Sequence, residues 1–333
     1  MIIATEEAFA TSEFLDTYLD FAAARQNEGM LFAASVLSRP GMRDRLTDID
    51  VRLAEMDAHG TDMHLMSLTS PGVQVFDPDL GTALAIRVNN EMAALIRQHP
   101  NRLAGLAAIA PQDPRRAAAE IERAMGDLGF NGIIINSHTQ GEFLDDRKFW
   151  PIFDAAVKHR APIYLHPTFP PDAMIEPYVR YGLNGAIWGF GAETSLHAVR
   201  LVMSGVFDRY PELQIVLGHM GEALPYWFLR LDLQYQKQIA RQQHPPGMVK
   251  LNRMPSDYFR SNFHFTTSGM YWDDLLEFAI KTMGAERIMF SIDYPYEPST
   301  RSTEWIKQIP VSPQDKDRIM SGNAIKLFQI RSR

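Results

Sequence analysis

Apolar residues along the chain follow two patterns that alternate from the first residues almost to the last. Short apolar runs predict buried strands at residues 2–5, 63–69, 103–110, 132–136, 162–166, 214–218, 263–267 and 287–292. Between them, apolar residues recur every three or four positions, which predicts helices at residues 80–98, 114–128, 148–158, 193–209, 222–241 and 272–283. Alternating strands and helices predict a parallel sheet that is covered by helices.

A closed barrel accounts for these elements better than an open, doubly wound sheet. An open sheet gathers its site at one switch point, beside a glycine-rich phosphate loop, and no such loop follows the first strand. Polar residues stand at the ends of strands all along this chain, which is typical of the (β/α)8 TIM barrel. We therefore predict an α/β chain with one (β/α)8 domain at residues 1–333.

Two connections are too long to be simple turns. Residues 27–48 follow strand one and residues 168–192 follow strand five, so both lie on the side of the barrel where the strands end. Long loops on that side usually shape or cover the pocket. Residues 252–262 precede strand seven, and we expect them near the opposite face, in packing or subunit contacts.

Composition narrows the classes of partner. The 333 residues carry a formal charge of -7 without a basic run, which argues against nucleic acid and membrane partners. No cysteine is present, so disulfides, thiolate metal sites and a cysteine nucleophile are excluded. The chain has no cationic, apolar leader and no apolar stretch of about 18 residues. We expect a cytoplasmic protein.

Three predicted strands lead to side chains that bind divalent metals. Glu6, His166 and Asp293 stand at the ends of strands one, five and eight, and in a closed barrel these ends face a common centre. Two carboxylates and one imidazole suit Mn2+, Zn2+ or Mg2+ and leave positions open for substrate and water. The alternative for each residue is a helix cap or an ion pair, and the presence of all three favours the metal site.

His219 and Glu222 stand three residues apart after strand six. We expect Glu222 to orient the imidazole, which makes His219 a proton carrier near neutral pH. His219 could equally be a fourth metal ligand or a packed histidine satisfied by Glu222. Arg230, predicted on the same helix, is a candidate to bind a substrate carboxylate, and the alternative is a surface arginine.

Other polar residues are weaker candidates for the pocket. Asn136 ends strand four and Tyr296 follows Asp293 closely, and we assign both to substrate binding. His197 stands within a predicted helix, and we expect it to be packed. The 27–48 segment holds three candidate arginines for the pocket, and the sequence does not distinguish among them. They are Arg39, Arg43 and Arg45.

Six motifs give the chain a resemblance that runs nearly end to end. They are Ala-Thr-Glu-Glu-Ala-Phe-Ala at 4–10, Thr-Ser-Pro-Gly-Val-Gln at 69–74, Asn-Ser-His-Thr-Gln-Gly at 136–141, Gly-Ala-Ile-Trp-Gly-Phe-Gly at 185–191, Gly-His-Met-Gly-Glu-Ala-Leu-Pro-Tyr-Trp at 218–227 and Ile-Asp-Tyr-Pro-Tyr at 292–296. Together they resemble the amidohydrolase-superfamily non-oxidative aromatic decarboxylases. Such enzymes act on 5-carboxyvanillate, γ-resorcylate, 2,3-dihydroxybenzoate and related ortho-hydroxybenzoates, and the neighbourhoods of residues 138–141 and of Trp227 resemble the 5-carboxyvanillate enzymes in particular. The resemblance implies a homodimer or homotetramer.

The resemblance also implies roles for single residues. Glu6, His166 and Asp293 would be the metal ligands, and His219 and Glu222 would form a proton relay to Asp293. Arg230 would anchor a carboxylate of the small aromatic substrate. Many hydrolytic relatives have a second ligand two residues after the first, where this chain has Ala8, whose methyl group cannot bind a metal. This departure favours Mn2+ over zinc.

The implied chemistry is the release of CO2 and a phenol. Direct expulsion of CO2 would leave an aryl carbanion, so we expect the ring carbon to be protonated first, and no organic cofactor is required. The first alternative is a metal-dependent hydrolase of a lactone or amide on the same scaffold. The second is an inactive barrel that binds a ligand or partner, against which the retention of the whole residue set argues.

Overall fold

Eight parallel strands in sequence order form the centre of the molecule. The computed structural model describes residues 1–241, 245 and 247–330. The strands are β1 (Ile3–Phe9), β2 (Met63–Leu68), β3 (Leu103–Ala108), β4 (Gly132–Asn136), β5 (Ile163–His166), β6 (Ile215–Leu217), β7 (Phe263–Thr266) and β8 (Ile288–Met289). Backbone hydrogen bonds from Thr5 N to Phe290 O (3.2 Å) and from Ala8 N to Tyr294 O (2.7 Å) join the first strand to the segment after β8. The sheet thus closes on itself, and the predicted TIM barrel is confirmed.

The strands are buried on both faces, because one face lines the barrel and the other meets the helices. Every strand residue is buried except His166, which is partly exposed at the end of β5. This double burial explains the continuous apolar runs in the sequence. It also leaves an opening to solvent at the ends of the strands.

Helices surround the barrel in the described part of the chain. They span Ser12–Arg25, Glu28–Leu37, Met42–Thr47, Ile49–His59, Pro78–Gln98, Pro114–Arg123, Trp150–His159, Asp172–Val179, Gly189–Met203, Val206–Arg209, Phe228–Ala240, Pro255–Asn262, Asp273–Met283, Ser299–Ile306, Pro313–Asp317 and Asn323–Leu327. The helix Pro78–Gln98 shows how the sequence determines where a helix begins. The Asp77 side chain accepts from the backbone N–H of Asp79 and Leu80, and proline occupies the first turn. No helix of the described residues is long and apolar enough to cross a membrane.

Several predicted boundaries were wrong. The 27–48 segment, expected as a loop, holds the helices Glu28–Leu37 and Met42–Thr47, and the helix Asp172–Val179 lies within the 168–192 segment. The predicted helix 193–209 is interrupted near Gly205, whose φ of 77° favours glycine. Strand eight ends at Met289, although the segment beyond it still bonds to β1.

The helix predicted over residues 222–241 does not exist as one element. Residues Leu224–Trp227 form a 3-10 turn, and the α-helix begins only at Phe228. His219 and Arg230 therefore lie on different elements, and their expected placement on one helix was wrong. The 252–262 segment does hold a helix, Pro255–Asn262, directly before β7.

Candidate metal and catalytic centre

Glu6, His166 and Asp293 meet at the opening of the barrel, as the strand ends predicted. One donor atom from each lies within 4.8 Å of the other two. Glu6 owes its position to an irregularity in β1, because the register against β2 shifts by one residue between Ala4 and Glu7. A bulge of this kind re-aims a side chain.

The two oxygens of the Glu6 carboxylate have different surroundings. Oε2 accepts hydrogen bonds from the hydroxyls of Tyr164, Thr266 (2.9 Å) and Ser268. Oε1 is buried and has no hydrogen-bond partner among the described residues. It lies 3.5 Å from His166 Nε2. A buried carboxylate oxygen without a partner is costly, so this atom is free to bind a cation.

His166 presents its second ring nitrogen to the same place. Its Nδ1 lies 2.8 Å from the carbonyl oxygen of Pro167, which can only accept. The ring therefore carries its proton on Nδ1, and the Nε2 lone pair faces Glu6 Oε1. A backbone carbonyl that fixes the tautomer is a common feature behind a metal-binding histidine. Burial lowers the pKa of His166, although Glu6 opposes the shift.

Asp293 completes the set from the segment after β8. Its backbone has a φ of 72°, and its carbonyl accepts from the N–H of Tyr296 (2.8 Å) and Glu297 (3.1 Å). Burial, reinforced by the charge of Glu6, raises its pKa to about 7 despite the nearby His219.

Glu7 holds the backbone on both sides of Asp293. Its Oε1 accepts from Ile292 N (3.0 Å) and its Oε2 from Tyr294 N (3.1 Å). No role was predicted for Glu7 from the sequence, although it is the second acid of the Glu-Glu pair in the first motif.

These donors fit a divalent cation. Two carboxylates and one neutral imidazole converge, and Glu6 Oε1 lacks any other partner in the described chain. Ala8, where hydrolytic relatives have a further ligand, is buried, and its carbonyl accepts from the Arg52 guanidinium. It leaves that part of the site without a donor side chain.

His219 and Glu222 lie beside this centre on an unusual turn. His219, Met220, Gly221, Glu222 and Ala223 have φ values between 49° and 76°. This left-handed turn is unfavourable for the four residues that are not glycine. It places His219 Nδ1 2.8 Å from Glu222 Oε1. The predicted pairing of the two side chains is present in the structure.

The other face of the His219 ring points toward the metal candidates. Its Nε2 lies 3.6 Å from Asp293 Oδ2 and 4.0 Å from Glu6 Oε1. Burial alone would lower the pKa of His219, but the carboxylates of Glu222, Glu6 and Asp293 outweigh it and raise the pKa well above its usual value. The side chain is 24% exposed, which leaves it accessible from the opening. The geometry suits a protonated imidazole between two acids.

Gly191 bounds the space around Glu222. A Cβ at this position would lie 2.9 Å from Glu222 Oε2. Gly191 is the third residue of the helix Gly189–Met203, whose N-terminal end carries a partial positive charge. The carboxylate therefore lies against the start of that helix.

Asn136 and Tyr296, assigned to substrate binding, both lie close to this centre. Asn136 pairs with His166 in the β4–β5 register, and its Oδ1 is buried without a partner in the described chain. A Cβ on Gly72 would meet the Asn136 amide nitrogen at 2.4 Å, and Gly72 also has a φ of 66°. The Tyr296 hydroxyl bonds to that of Thr69.

The candidate arginines have different surroundings. Arg230 is exposed on the helix Phe228–Ala240 and has no side-chain hydrogen bond or ion pair with the residues that the structure describes. Arg43 pairs with Asp16 at 2.6 Å on the surface. Arg45 donates to Pro295 O at 2.8 Å and stacks over Tyr294. Arg39 lies near enough to Tyr296 to lower the pKa of its hydroxyl, against the larger, opposite effect of burial.

A second polar cluster lies behind the site, in the protein interior. The hydroxyl of Ser137 lies 2.8 Å from Glu193 Oε1 and 3.0 Å from His197 Nδ1. His197 Nε2 accepts from the backbone N–H of Leu144 at 2.9 Å. His197 is fully buried, as its position in a helix predicted. The sequence analysis did not anticipate its partners Ser137 and Glu193.

Comparison with known proteins defines the class of molecule. The amidohydrolase family model matches residues 18–330. The chain belongs to the amidohydrolase family. Within this family it is an aromatic-acid decarboxylase, a carboxy-lyase, as its resemblance to relatives of known activity shows. The family resemblance drawn from the sequence motifs is confirmed.

Three relatives illustrate that similarity. The γ-resorcylate decarboxylase of a Polaromonas species is 37% identical over 338 residues, covering 98% of each chain. The crystal structure of 5-carboxyvanillate decarboxylase from Sphingomonas paucimobilis matches with a TM-score of 0.95 at 43% identity and covers 99% of both chains. The Novosphingobium aromaticivorans 5-carboxyvanillate decarboxylase, complexed with manganese and 4-hydroxy-3-methoxy-5-nitrobenzoic acid, matches with a TM-score of 0.95 at 42% identity, over 99% of this chain and 96% of that one.

Proposed function

We propose that this decarboxylase removes CO2 from an ortho-hydroxybenzoate without oxidation, and that a 5-carboxyvanillate-like acid is favoured over γ-resorcylate and 2,3-dihydroxybenzoate. The observation that carries the proposal is the convergence of Glu6, His166 and Asp293 with His219 and Glu222 at the barrel opening. The end-to-end similarity to 5-carboxyvanillate decarboxylases supports the choice of substrate. The product would be the corresponding phenol.

We assign the cation to Glu6, His166 and Asp293, and we favour Mn2+ over Zn2+ or Mg2+. The oxygen-rich donor set supports this choice, because carboxylates suit harder cations and a single imidazole is present. Manganese in the solved relative supports it as well. When bound, such an ion would neutralise charge on the phenolate and carboxylate oxygens of the substrate.

The proton for the ring carbon comes from the acids of the chain itself. Burial raises the pKa of Asp293, and its carboxylate lies between the ion-binding residues and His219. His219 Nε2 lies 3.6 Å from Asp293 Oδ2, and Glu222 secures the other ring nitrogen. Asp293 therefore delivers the proton, and His219 with Glu222 replaces it. Protonation before the bond breaks avoids a free aryl carbanion.

Substrate contacts are proposed for Asn136, Tyr296 and Arg230. The unpaired Oδ1 of Asn136 can accept a hydrogen bond from a ring hydroxyl, and Tyr296 lies two residues beyond the Tyr294 backbone that Glu7 holds. Arg230 would bind a second carboxylate bidentately. Arg230→Ala should raise KM for a dicarboxylate substrate roughly 10- to 150-fold, because losing a bidentate charged contact costs about 1.5–3 kcal/mol. Unchanged kinetics in a folded variant would make it a surface residue.

We further propose that the enzyme is a cytoplasmic homodimer or homotetramer. The surface that carries Arg230 also exposes several large apolar side chains, which supports burial against a second subunit. They are Tyr226, Trp227, Leu229 and Leu233. Sedimentation velocity on the wild type and on Leu229→Glu, which should weaken the contact, measures the assembly directly.

A panel of ortho-hydroxybenzoates assayed with added Mn2+ tests the reaction. We expect CO2 release and loss of substrate absorbance, fastest for 5-carboxyvanillate. In heavy water the product should carry one deuterium at the carbon that lost CO2 and none elsewhere. A panel that releases no CO2, with a lactone or amide opened in the same buffer, would replace the decarboxylase by a hydrolase.

A further inference from the structure

A second cavity lies at the end of the barrel where the strands begin, away from the metal candidates. Its volume is about 640 Å3. Pro162, Gln214 and Arg287 directly precede β5, β6 and β8, and His264 is the second residue of β7. These four residues belong to the lining, so the cavity lies against the start of the barrel strands.

The cations that line this cavity are the exposed Arg160 and Lys326 and the partly buried Arg287. Arg287 Nη1 donates to Gln214 Oε1 and His264 Nε2, at 2.9 Å each. No carboxylate of the described residues forms an ion pair with it. Glu286, next in the chain, folds against Gly284 instead, where an added Cβ would lie 2.5 Å from Glu286 Oε1. A partly buried guanidinium without a carboxylate is stabilised by an anion from outside.

His264 stays neutral beside Arg287. Because arginine always donates, His264 Nε2 accepts, and the ring proton stands on Nδ1. Nδ1 is buried and lacks a partner in the part of the chain that the structure describes. Burial, with the charges of Arg287 and Lys326, lowers the His264 pKa to about 3. Two cations thus flank one uncharged, incompletely bonded ring.

The remaining lining has apolar and polar parts. Ala156, Val157, Leu213 and Leu327 form the apolar part. Asn323 donates its amide protons to Ala285 O (2.8 Å) and Ile288 O (2.7 Å), so its Oδ1 stays available as an acceptor. The carboxylates of Glu212 and Glu286 also line the cavity and would repel a dianion more strongly than a monoanion.

We infer that this cavity is a second binding site, for a small monocarboxylate with an apolar body. Arg287 and Lys326 would bind the carboxylate, and the apolar part would cover a ring or a short chain. The site is separate from the metal candidates and does not depend on the proposed reaction. It would let an organic acid bind the enzyme without competing for the reacting centre.

A heavy-atom probe locates such a site. Crystals of the Mn2+-loaded enzyme soaked in 4-bromobenzoate should show a bromine anomalous peak in this cavity, whether or not one also appears at the barrel opening. Absence of a peak in the cavity at full occupancy of the opening would overturn the proposal. A parallel soak in phosphate should show no phosphate in the cavity. Phosphate in the cavity, without bromobenzoate in the first soak, would also overturn the proposal.

Titration calorimetry with 4-bromobenzoate then measures how much Lys326 and Arg287 contribute to its affinity. Lys326→Met, at an exposed residue, should weaken the second binding event about tenfold, and Arg287→Gln more strongly. Lys281→Met, an exposed lysine on the helix Asp273–Met283, is the matched control and should bind like the wild type. Decarboxylation should be unchanged in Lys326→Met. Equal affinity in all three variants would exclude the cavity as the binding site.

Discussion

The molecule contains two histidine–carboxylate clusters of similar composition but opposite character. His219 bonds to Glu222 at the barrel opening. The other ring nitrogen of His219 lies 4.0 Å from Glu6 Oε1 and 3.6 Å from Asp293 Oδ2. His197 shares the Ser137 hydroxyl with Glu193 in the interior. The first histidine is 24% exposed at its side chain, whereas the second is fully buried.

The direction of the hydrogen bonds separates the two clusters. His197 accepts from Leu144 N, so its Nδ1 donates to Ser137, which donates to Glu193. A serine nucleophile would need the reverse direction, with histidine accepting its proton. Each polar side-chain atom of this cluster has a partner, because Leu144 N–H donates to His197 Nε2 and the Thr194 hydroxyl donates to Glu193 Oε2. The cluster therefore orders the fold, although its residue types resemble a catalytic triad.

The His219 cluster has unused bonding capacity. Glu6 Oε1 has no partner in the described chain, and Asp293 has a pKa near 7. The pKa values move in opposite directions as well, because burial and nearby cations lower that of His197 to about 3 while acids raise that of His219. The Glu6 oxygen without a partner in the described chain and the raised pKa of His219, rather than residue type, distinguish the cluster at the opening from the interior one.

Disrupting the metal candidates should have the largest effect. Removal of the ion by a chelator should lower the rate of decarboxylation roughly 10³-fold or more, because the bound charge is lost. Asp293→Asn should have an effect of at least this size, because it removes the proton donor and weakens a ligand. Metal content and rate are measured together on the same samples. Full activity in verified metal-free protein would contradict the assignment, and normal metal content in His166→Ala would remove that residue from the set.

His219→Asn should slow the reaction about 10²- to 10⁴-fold while the metal content stays normal. The expected reason is that His219 carries a proton to Asp293 and does not hold the ion. Metal analysis and steady-state rates measure the two effects separately. Loss of the metal in this variant would instead make His219 a fourth ligand.

The interior cluster should show the reverse behaviour. His197→Leu leaves the buried Leu144 N–H without an acceptor and should cost about 1–3 kcal/mol of unfolding free energy. The rate per folded molecule should stay within about twofold of the wild type. Denaturant unfolding and active-enzyme titration provide the measurements. A large rate loss at unchanged stability would show that the two clusters work together.

Gly191→Ala tests how closely Glu222 is held. The added methyl group would press on Glu222 Oε2, so kcat should fall about tenfold with normal metal content and little change in KM. Gly126→Ala is the matched control, because a Cβ there meets nothing within 4 Å and Gly126 also lies in a helical segment. Equal activity of both variants would show that Glu222 needs no fixed position.

The smallest expected effect is on the pH dependence of the Tm. It comes from Glu193, because burial raises the pKa of this residue to about 8. An acid with a raised pKa stabilises the folded state fully below its unfolded value of 4.5, and that contribution is lost as the pH rises through 8. Between pH 5 and 8, the Tm of the wild type should therefore fall a few degrees more than that of Glu193→Gln. Parallel Tm curves would show that Glu193 is ionised in the folded protein.

Sequence patterns predicted the barrel and its metal candidates because both follow from the order of apolar and polar residues along single strands. Apolar runs mark buried strands, and Glu6, His166 and Asp293 each stand where such a run stops. The bulge that aims Glu6 depends on the register against β2, which a single strand does not reveal. The bonding of Ser137 to Glu193 joins residues 56 positions apart, beyond any local pattern.

Helix boundaries near the site were harder to predict for a related reason. Apolar residues continue at helical spacing from Met220 through Leu224 to Phe228, so the sequence predicts one helix where the chain makes a left-handed turn. The turn places His219 Nδ1 against Glu222 Oε1 and does not follow the helical spacing of the segment. Local patterns fail where side-chain placement determines the backbone.

The turn at His219–Ala223 also has a stereochemical consequence. Five consecutive residues have positive φ, although four of them are L residues that this region disfavours by roughly 1–2 kcal/mol each. The proposed proton relay requires His219 and Glu222, but it places no such demand on Ala223. Selection for heat resistance alone should therefore bring glycine to position 223 before any other site on this turn.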